Sequence, residues 1–334
     1  MYYNSEMPKP VFLSGIQPTG VPHIGNYLGA IKKWVEIQDN YETFIMVADL
    51  HAITIPREPK EFKEKTLEIV ALLLACGIDP KKSTLFIQSQ IPAHTELAWI
   101  LNTITPLGEL ERMTQFKEKK DRAGALAGLL NYPVLQAADI LLYKTNVVPV
   151  GEDQFQHLEF ARAIAKKFNS KFGETFIIPE ALSDKITSRI MGLDNPNKKM
   201  SKSAKNPNNY IALLDSPEII RKKIKSAVTD SGKEIKYDRE NKPAIANMLD
   251  IYAAFSEKTF GQLEIEFREK SYAEFKEELT ELLIAKLTPI QKKYKELSKN
   301  KNLLEKILEN SKTKASKIAN KTLLEAKEKV GFII

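Results

Sequence analysis

Cysteine is almost missing from this chain, whose 334 residues include only Cys76. A lone cysteine cannot form a disulfide within the chain or a cysteine-based zinc or iron–sulfur site. No apolar run is long enough to span a membrane, the longest candidate being the short IVALLLACG. The first residues, MYYNSEMPKPVF, resemble neither a secretory signal nor a transit peptide. We therefore expect a cytoplasmic protein without a membrane partner.

Histidine is also scarce, and its spacing excludes a histidine metal site. The chain has four histidines, and none is spaced from another as zinc ligands are: His23, His51, His94 and His157. The sequence thus predicts no dedicated protein metal site. An apolar share of 43% excludes a disordered chain, and the length suits a large domain plus a smaller one.

Positive charge is concentrated near the C-terminus. The net charge is +7, and the stretch from Lys286 to Lys329 contains thirteen lysines and five glutamates, a balance of +8. The rest of the chain is therefore almost neutral. Such a stretch favours a polyanionic partner, although solvated helix faces in a lysine-rich protein would look the same.

Short apolar runs alternate with helical patterns in the first half of the chain. VFLSG, TFIMVADL and STLFIQS, which begin at Val11, Thr43 and Ser83, are typical of strands covered on both faces. A helix is predicted from Pro59 to Cys76, with proline at its start and Gly77 after its end. This alternation predicts an α/β fold with a Rossmann-like, doubly wound parallel sheet and a ligand site at the carboxyl ends of the strands.

The pattern changes after the middle of the chain. A helical region from Gly108 to Tyr143 precedes the strand-like NVVPVG and a helix from Gln154 to Phe168. From Ser216 onward the sequence is helical, with breaks predicted at SGKEIKYDRENKP and at Pro289.

These patterns predict two domains. Residues 1–210 form the α/β domain, with a helical insertion at about 106–146, and residues 211–334 form an all-helical domain. A mobile loop at 199–203 joins them.

The stretch SGIQPTGVPHIGN lies between the first strand and the first helix. Such a junction presents backbone N–H groups and the positive end of a helix, which suits phosphate. Its spacing matches neither the Walker motif nor GxGxxG. His23 and Asn26 can donate hydrogen bonds to phosphate oxygens, and Gly25 permits close approach of a ligand. A glycine-rich capped turn with an incidental histidine is the alternative.

The downstream stretch KKMSKS places two ammonium groups and two hydroxyls on one loop, from Lys199, Ser201, Lys202 and Ser203. A basic loop is usually solvated surface. HIGN early and KMSKS late, with strand–helix alternation between them, resemble the class I aminoacyl-tRNA synthetases, in which this pair binds ATP.

The resemblance extends along the whole chain and becomes narrower. SGIQPTG, GELERMTQFKEK, YPVLQAADILLY, VPVGEDQFQH, KKMSKS and KIKSAVTDS occur in this order. Together they resemble the tryptophanyl-tRNA synthetase family of the bacterial and mitochondrial type. The resemblance implies a class I catalytic domain and a helical anticodon-binding domain.

The stretch YPVLQAAD is the candidate amino-acid site. Asp139 lies inside an apolar helix, where an unpaired carboxylate would cost several kcal/mol. Tyr132, Gln136 and Asp139 fall on one helix face. By resemblance, Asp139 accepts the indole N–H of tryptophan. The resemblance also implies that Tyr132 and Gln154 hold the substrate ammonium and that Val148 and Val150 wall the ring. VADLHAIT ends a strand at the ligand edge, so we expect Asp49 and His51 at the rim of the site. A buried aspartate bonded to a neighbouring helix is the alternative.

Gln136 keeps a second substrate open. Many members of the family have methionine here, and Tyr-x3-Gln-x2-Asp is also how the related tyrosine enzymes hold a phenol hydroxyl. GEDQ, GELERMTQFKEK and QPTG instead follow the tryptophan pattern, which we favour.

The resemblance assigns further residues to ATP. The catalytic group comprises Lys199, Lys202, Lys119, His23 and Asn26. The ATP-binding group comprises Gln17, Thr19, His23, Gly25, Asn26, Gly151, Asp153, Met200, Ser201 and Lys202. Lys119, or its neighbour Lys117, would hold the leaving pyrophosphate and Asp153 would lie near the ribose, although RMTQFKEKKDR also suits a solvated helix face.

The implied activity is the formation of tryptophanyl-adenylate and pyrophosphate from L-tryptophan and ATP, followed by transfer to the terminal ribose of tRNA(Trp). Mg²⁺ would arrive with ATP, the KMSKS loop would close on both substrates, and the protein would be a homodimer that does not bind DNA. Two other classes stay open: a different adenylate-forming enzyme with the same fold, and a catalytically inactive tRNA-binding regulator.

Overall fold

The computed structural model describes residues 8–114, 126–151, 154–182, 189–202 and 204–334. The chain divides into two compact units, each built from separate segments. The first comprises Met1–Thr19, Glu36–Asp184 and Asn300–Ile334, and the second comprises Gly20–Val35 and Lys185–Lys299.

The first unit contains a five-stranded sheet. Its strands are β1 (Val11–Ile16), β2 (Glu42–Val47), β3 (Ser83–Ile87), β4 (Val147–Pro149) and β5 (Glu180–Leu182). They lie in the order β3-β2-β1-β4-β5, and every pair is parallel. The chain therefore builds outward on one side of β1 and then on the other, which confirms the predicted doubly wound sheet.

Burial explains why the second and third strands are readable from the sequence. Every residue of β3 is buried, as are Thr43–Val47 of β2, so both strands need continuous apolar runs. The prediction carried the second strand too far, to Leu50. The strand ends at Val47 because Asp49 starts a helical turn and its Oδ1 accepts the Leu50 N–H at 3.0 Å.

The described helices are numbered here in chain order. They are α1 (Ile24–Asn26), α2 (Lys32–Ile37), α3 (Asp49–Ala52), α4 (Pro59–Ala75), α5 (Ala93–Asn102), α6 (Leu107–Glu111), α7 (Ala127–Leu142), α8 (Phe155–Phe172), α9 (Pro217–Ser226), α10 (Pro243–Ser256), α11 (Phe260–Glu266), α12 (Tyr272–Leu297) and α13 (Lys301–Val330). A π-helical segment, Tyr27–Ile31, joins α1 to α2, and 3₁₀ turns span Gln88–Gln90 and Pro207–Asn209.

The last helix, α13, packs on the sheet of the first unit. It contacts β3, α5 and α7 through small and apolar residues at helical spacing, among them Leu308, Ala315, Ala319 and Ala326. The predicted division into 1–210 and 211–334 assigns this helix to the C-terminal domain, whereas the compact units group it with the sheet. As a statement about separate domains, that division stays a prediction.

The predicted break at Pro289 is wrong, because α12 continues through it to Leu297. Proline removes one backbone hydrogen bond and usually kinks or ends a helix. Here Leu283 and Leu287 before it and Ile290 after it are buried, so packing on one face favours continuing the helix. Within the described ranges, no helix is both long and apolar enough to cross a membrane.

Candidate active site

Asp139 lies on α7 in the first unit, with 1% of its surface exposed. His94 Nδ1 lies 2.6 Å from Oδ1, and His51 Nε2 lies 2.7 Å from Oδ2. The Gln88 amide nitrogen lies 2.8 and 2.9 Å from the two oxygens. Burial alone would raise the pKa of the Asp139 carboxyl, but His51 and His94 outweigh it and lower that pKa to about 2. Asp139 is therefore a fully ionised hydrogen-bond acceptor at neutral pH.

Gln136 and Tyr132 lie half-buried about one and two turns before Asp139 on α7, respectively. Tyr132 Oη is 2.7 Å from His157 Nε2, and its ring meets the His51 ring edge-on at a centroid distance of 6.2 Å. Gln136 donates to Gln154 Oε1 at 3.4 Å. The structure thus joins the predicted amino-acid residues of α7 to Gln154, although they lie far apart in sequence.

The other candidates of this unit lie on β4 and in turns. Val148 is 7% exposed, and Val150 packs against the core of the sheet. Gly151 accepts the Gln154 N–H at 2.9 Å in the turn before α8. Gln17 and Thr19 form a tight turn after β1, in which Gln17 O accepts the Thr19 N–H at 2.8 Å.

His23 and Asn26 cap the helix that starts the second unit. His23 Nδ1 accepts the Asn26 N–H, and Asn26 Oδ1 accepts the His23 N–H, both at 3.2 Å. This is a reciprocal capping box with histidine in the usual place of serine or threonine. Because a neutral imidazole that accepts at Nδ1 carries its proton on Nε2, His23 presents a donor at Nε2.

Gly25 is required by this cap. A Cβ added there would lie 3.0 Å from two atoms of the His23 ring. The absence of a side chain thus makes room for the imidazole itself, a reason that the sequence pattern did not indicate.

The two lysines of the KMSKS loop affect the pKa of His23. Burial, followed by the positive charges of Lys202 and Lys199, lowers the pKa of His23 to about 4. His23 is therefore neutral at physiological pH. Lys202 Nζ donates to the Gly20 carbonyl at 3.0 Å, which connects the KMSKS loop directly to the turn that precedes HIGN.

The rest of this loop is held by its backbone. Met200 is buried, and its N–H donates to Ile190 O at 3.1 Å, next to a β-bridge between Met191 and Lys199. Ser201 is half-buried, and Lys199 is exposed.

Four predicted site residues lie outside the described residues: Lys117, Lys119, Asp153 and Ser203. Within the described part of the chain, no group of three or more His, Cys, Asp or Glu side chains is arranged to hold a metal ion.

Comparisons with known proteins decide the family. Residues 6–288 match the family model of class I tRNA synthetases for tryptophan and tyrosine (W and Y). The chain is 52% identical to the tryptophan–tRNA ligase of Caldanaerobacter subterraneus subsp. tengcongensis, over 98% of this chain and 99% of that protein. The chain belongs to the tryptophanyl-tRNA synthetase family.

Solved structures agree with this membership. The tryptophanyl-tRNA synthetase of Mycoplasma pneumoniae superposes with a TM-score of 0.89 at 39% identity, covering 98% of this chain and 99% of that one. The Campylobacter jejuni enzyme, solved with ADP and tryptophan, gives a TM-score of 0.84 at 40% identity, covering 96% and 100%. These relatives all belong to the tryptophan type, so Gln136 does not make this chain a tyrosine enzyme by family.

Sequence reasoning missed the residues that support the synthetase site. In the second unit, Asn209 Oδ1 accepts the Ser201 N–H at 3.0 Å, and its amide nitrogen donates to Asp194. Asn247 on α10 pairs with both the N–H and the carbonyl of Met191, at 2.7 and 3.0 Å. Both asparagines are buried, and a buried asparagine with backbone partners leaves no pattern in a single sequence.

Proposed function

We propose that the protein activates L-tryptophan with ATP and transfers it to the 3′-terminal ribose of tRNA(Trp). The observation that carries this proposal is the buried, ionised Asp139, which accepts hydrogen bonds from N–H donors. A site built around a buried polar partner rejects analogues that lack the matching group by about 10⁴ to 10⁵. Family membership supplies the reaction class.

The first step joins the amino acid to AMP. A carboxylate oxygen of tryptophan attacks the α-phosphorus of ATP. The bond from that phosphorus to the oxygen bridging to the β-phosphate breaks, and pyrophosphate leaves with that oxygen. Because the attacking carboxylate is already a nucleophile, this step needs no general base and no covalent enzyme intermediate. Alignment and charge stabilisation supply the rate.

The residues proposed to bind the phosphates suit the stabilisation of phosphate charge in this step. His23 is a neutral donor through Nε2, and Lys199 and Lys202 bring positive charge. Mg²⁺ carried by ATP would neutralise part of the phosphate charge, and the described residues offer it no cluster of protein ligands. Lys119 and Asp153 keep their proposed roles with pyrophosphate and ribose.

In the second step the 2′-hydroxyl of the terminal tRNA ribose attacks the adenylate carbonyl. Its proton is released, AMP leaves, and an ester forms. The lysine-rich helices near the C-terminus would contact tRNA phosphates, which gives affinity without reading sequence. We also propose that the protein acts in the cytoplasm, where tRNA is charged.

We propose a homodimer, on the evidence of an apolar surface of the first unit. Trp99 is 71% exposed, Leu107 60% and Ile53 55%, and Ile53 and Trp99 line a groove of about 390 Å³ with Leu135 and the Tyr132 ring. Large exposed apolar patches mark association surfaces.

Light scattering should give twice the chain mass of 37.8 kDa. The Trp99→Lys variant should dissociate, because it would bury an unpaired charge. A monomeric wild-type protein would exclude the dimer.

The decisive test is amino-acid-dependent exchange of labelled pyrophosphate into ATP, without tRNA, with each of the twenty amino acids in turn. Exchange with tryptophan alone supports the proposal. Exchange with tyrosine would mean that Gln136 and Asp139 bind a phenol. No exchange with any amino acid would favour a tRNA-binding regulator.

A further inference from the structure

The Asp139 carboxylate already has a full set of hydrogen-bond donors in the protein. Its oxygens have about four acceptor positions. One histidine nitrogen and the Gln88 amide nitrogen approach each oxygen, at 2.6 to 2.9 Å. A ligand N–H can therefore bond to Asp139 only by replacing one of these donors.

The direction of each hydrogen bond follows from the charge of Asp139. An ionised carboxylate only accepts, so the histidine nitrogens that face it carry hydrogens: Nδ1 in His94 and Nε2 in His51. Gln88 Oε1 accepts the Leu50 N–H at 3.1 Å, which turns the Gln88 amide nitrogen toward Asp139.

A second layer lies behind His94. Its Nε2 is 2.9 Å from Tyr143 Oη. Burial and the charge of Asp139 raise the pKa of Tyr143 well above its usual range, so the hydroxyl keeps its proton. In the neutral tautomer of His94 that has its hydrogen on Nδ1, Nε2 accepts a hydrogen bond and Tyr143 donates it. Tyr143, His94 and Asp139 thus form a chain of hydrogen bonds that all point toward the carboxylate.

The donors differ in how firmly they are held. Gln88 and His94 have no exposed surface, and Tyr143 is 1% exposed, stacks on Phe44 and packs at a tilt against Phe86. His51 retains 7% exposure. His51 lies on the four-residue helix α3, and Ile53, the residue after this helix, is exposed. The side chain with room to move is His51.

We propose that Gln88, His94 and Tyr143 are positioning residues that keep Asp139 oriented, and that the His51 N–H occupies the place taken by the indole N–H of the substrate. This inference rests on the proposed tryptophan site and deepens it. His51 holds the carboxylate without substrate and moves away when the substrate N–H binds.

The exchange also accounts for selectivity. A ring without an N–H leaves Asp139 Oδ2 with one donor fewer if His51 moves, or clashes with His51 if it stays. Either outcome carries the cost of an unsatisfied buried group or a clash.

Histidine NMR tests the network in the free protein. With four histidines in the chain, ¹⁵N-imidazole spectra can be assigned from single His→Gln variants. We expect the Nδ1–H form for His94 and the Nε2–H form for His51 in one sample. The Nε2–H form for His94 would overturn the proposal. This readout needs no substrate, so it stands apart from the success of the proposed function.

Adding tryptophan tests the exchange. We expect the His51 signals to move, whereas His94 should keep both its tautomer and its chemical shifts. Movement of His94 with His51 unchanged would overturn the assignment. If tryptophan moves neither histidine and drives no pyrophosphate exchange, the proposed function fails and the exchange at His51 fails with it, whereas the free-protein pattern still decides the positioning claim.

The Tyr143→Phe variant separates positioning from general support. The probe pair is tryptophan and β-(benzothien-3-yl)alanine, in which sulfur replaces the ring N–H. We expect the ratio of their kcat/KM values in pyrophosphate exchange to fall about 3- to 10-fold, as for one lost hydrogen bond, with KM for ATP unchanged.

Tyr252→Phe, at a buried tyrosine of the second unit, is the matched control and should leave the ratio unchanged. Equal losses for both amino acids in Tyr143→Phe would reduce Tyr143 to a structural residue and contradict the proposal.

Discussion

A buried carboxylate is costly unless its charge is matched, and Asp139 shows how the match is made. His51, Gln88 and His94 surround it with donors, so it remains ionised with only 1% exposure. The expectation that Asp139 is buried and polar came from its place in an apolar helix. The alternative of a buried aspartate bonded to neighbouring elements describes the free protein equally well, because the same carboxylate serves both purposes.

Asp139→Asn tests the acceptor. The amide nitrogen would face donors from the surrounding side chains, so both substrate and network would lose an acceptor. We expect kcat/KM for tryptophan to fall by about 10² to 10³, as for a lost charged hydrogen bond with a buried group left unpaired. The affinity for ATP, measured by calorimetry without tryptophan, should stay the same. Unchanged tryptophan kinetics would remove Asp139 from the site.

His23 gives a prediction for stability against pH. Its pKa falls from 6.5 to about 4 on folding, so the unfolded chain takes up a proton at higher pH than the folded one. The contribution of neutral His23 to the free energy of unfolding is complete above pH 6.5 and is lost as the pH falls toward 4.

His23→Asn should keep the helix cap and remove this dependence. Between pH 7 and pH 4.5, the free energy of unfolding measured in urea should fall by about 2 kcal/mol more in the wild type than in the variant. Equal losses would mean that His23 is not the buried neutral group described here.

Among the elements, α10 organises the second unit. Asn247 on this helix holds Met191 beside the KMSKS loop. The Ala254 carbonyl accepts Lys32 Nζ at 3.0 Å, and Phe255 stacks on Tyr27 with centroids 5.9 Å apart. Both sequence signatures are therefore attached to one helix, and Tyr27 begins a π-helical segment, a feature frequent at functional sites.

Gly192→Ala should disturb the KMSKS loop. A Cβ at this position would clash with the Asn209 amide nitrogen, and Asn209 holds the Ser201 N–H. We expect KM for ATP to rise several-fold while tryptophan binding, measured by calorimetry, is unchanged.

Gly261→Ala is the matched control, because a Cβ there has no neighbour within 4 Å. A normal KM for ATP in Gly192→Ala would show that Asn209 can move without affecting the loop.

For the molecule as a whole, the concentration of lysine near the C-terminus is a surface property. Lys306, Lys317 and Lys321 are exposed on α13, while the opposite face of that helix packs on the sheet of the first unit. Replacing all three with Gln should therefore spare the fold.

This triple variant should raise KM for tRNA and leave pyrophosphate exchange unchanged. For each lysine that contacts a phosphate, the slope of log K against log salt should fall by about 0.7 to 0.9. If tRNA binding and its salt slope equal those of the wild type, these lysines are only solvated helix surface.

Local patterns predicted much of this protein because they arise from neighbours in the chain. The alternation of apolar runs reflects strands β1 to β3, of which β2 and β3 are buried on both faces. Pro59 at the start of α4 and Gly77 after its end reflect the bounds of that helix. The short β4 was readable as NVVPVG, whereas β5 has three residues that are no more than half-buried, and so left no periodicity to detect. HIGN and KMSKS indicated the class I synthetases, and the order of six longer stretches narrowed this to the tryptophanyl family.

Contacts between distant segments could not be read in this way. His51 reaches Asp139 across 88 positions, and Lys144 reaches Glu325 across 181. Which donors surround a buried charge depends on the register in which elements pack, and that register is set by the whole core rather than by any local pattern. The chain alone therefore indicated a parallel sheet, an ATP signature and a buried aspartate, whereas packing determined which side chains keep that aspartate charged and which of them can give way to a substrate.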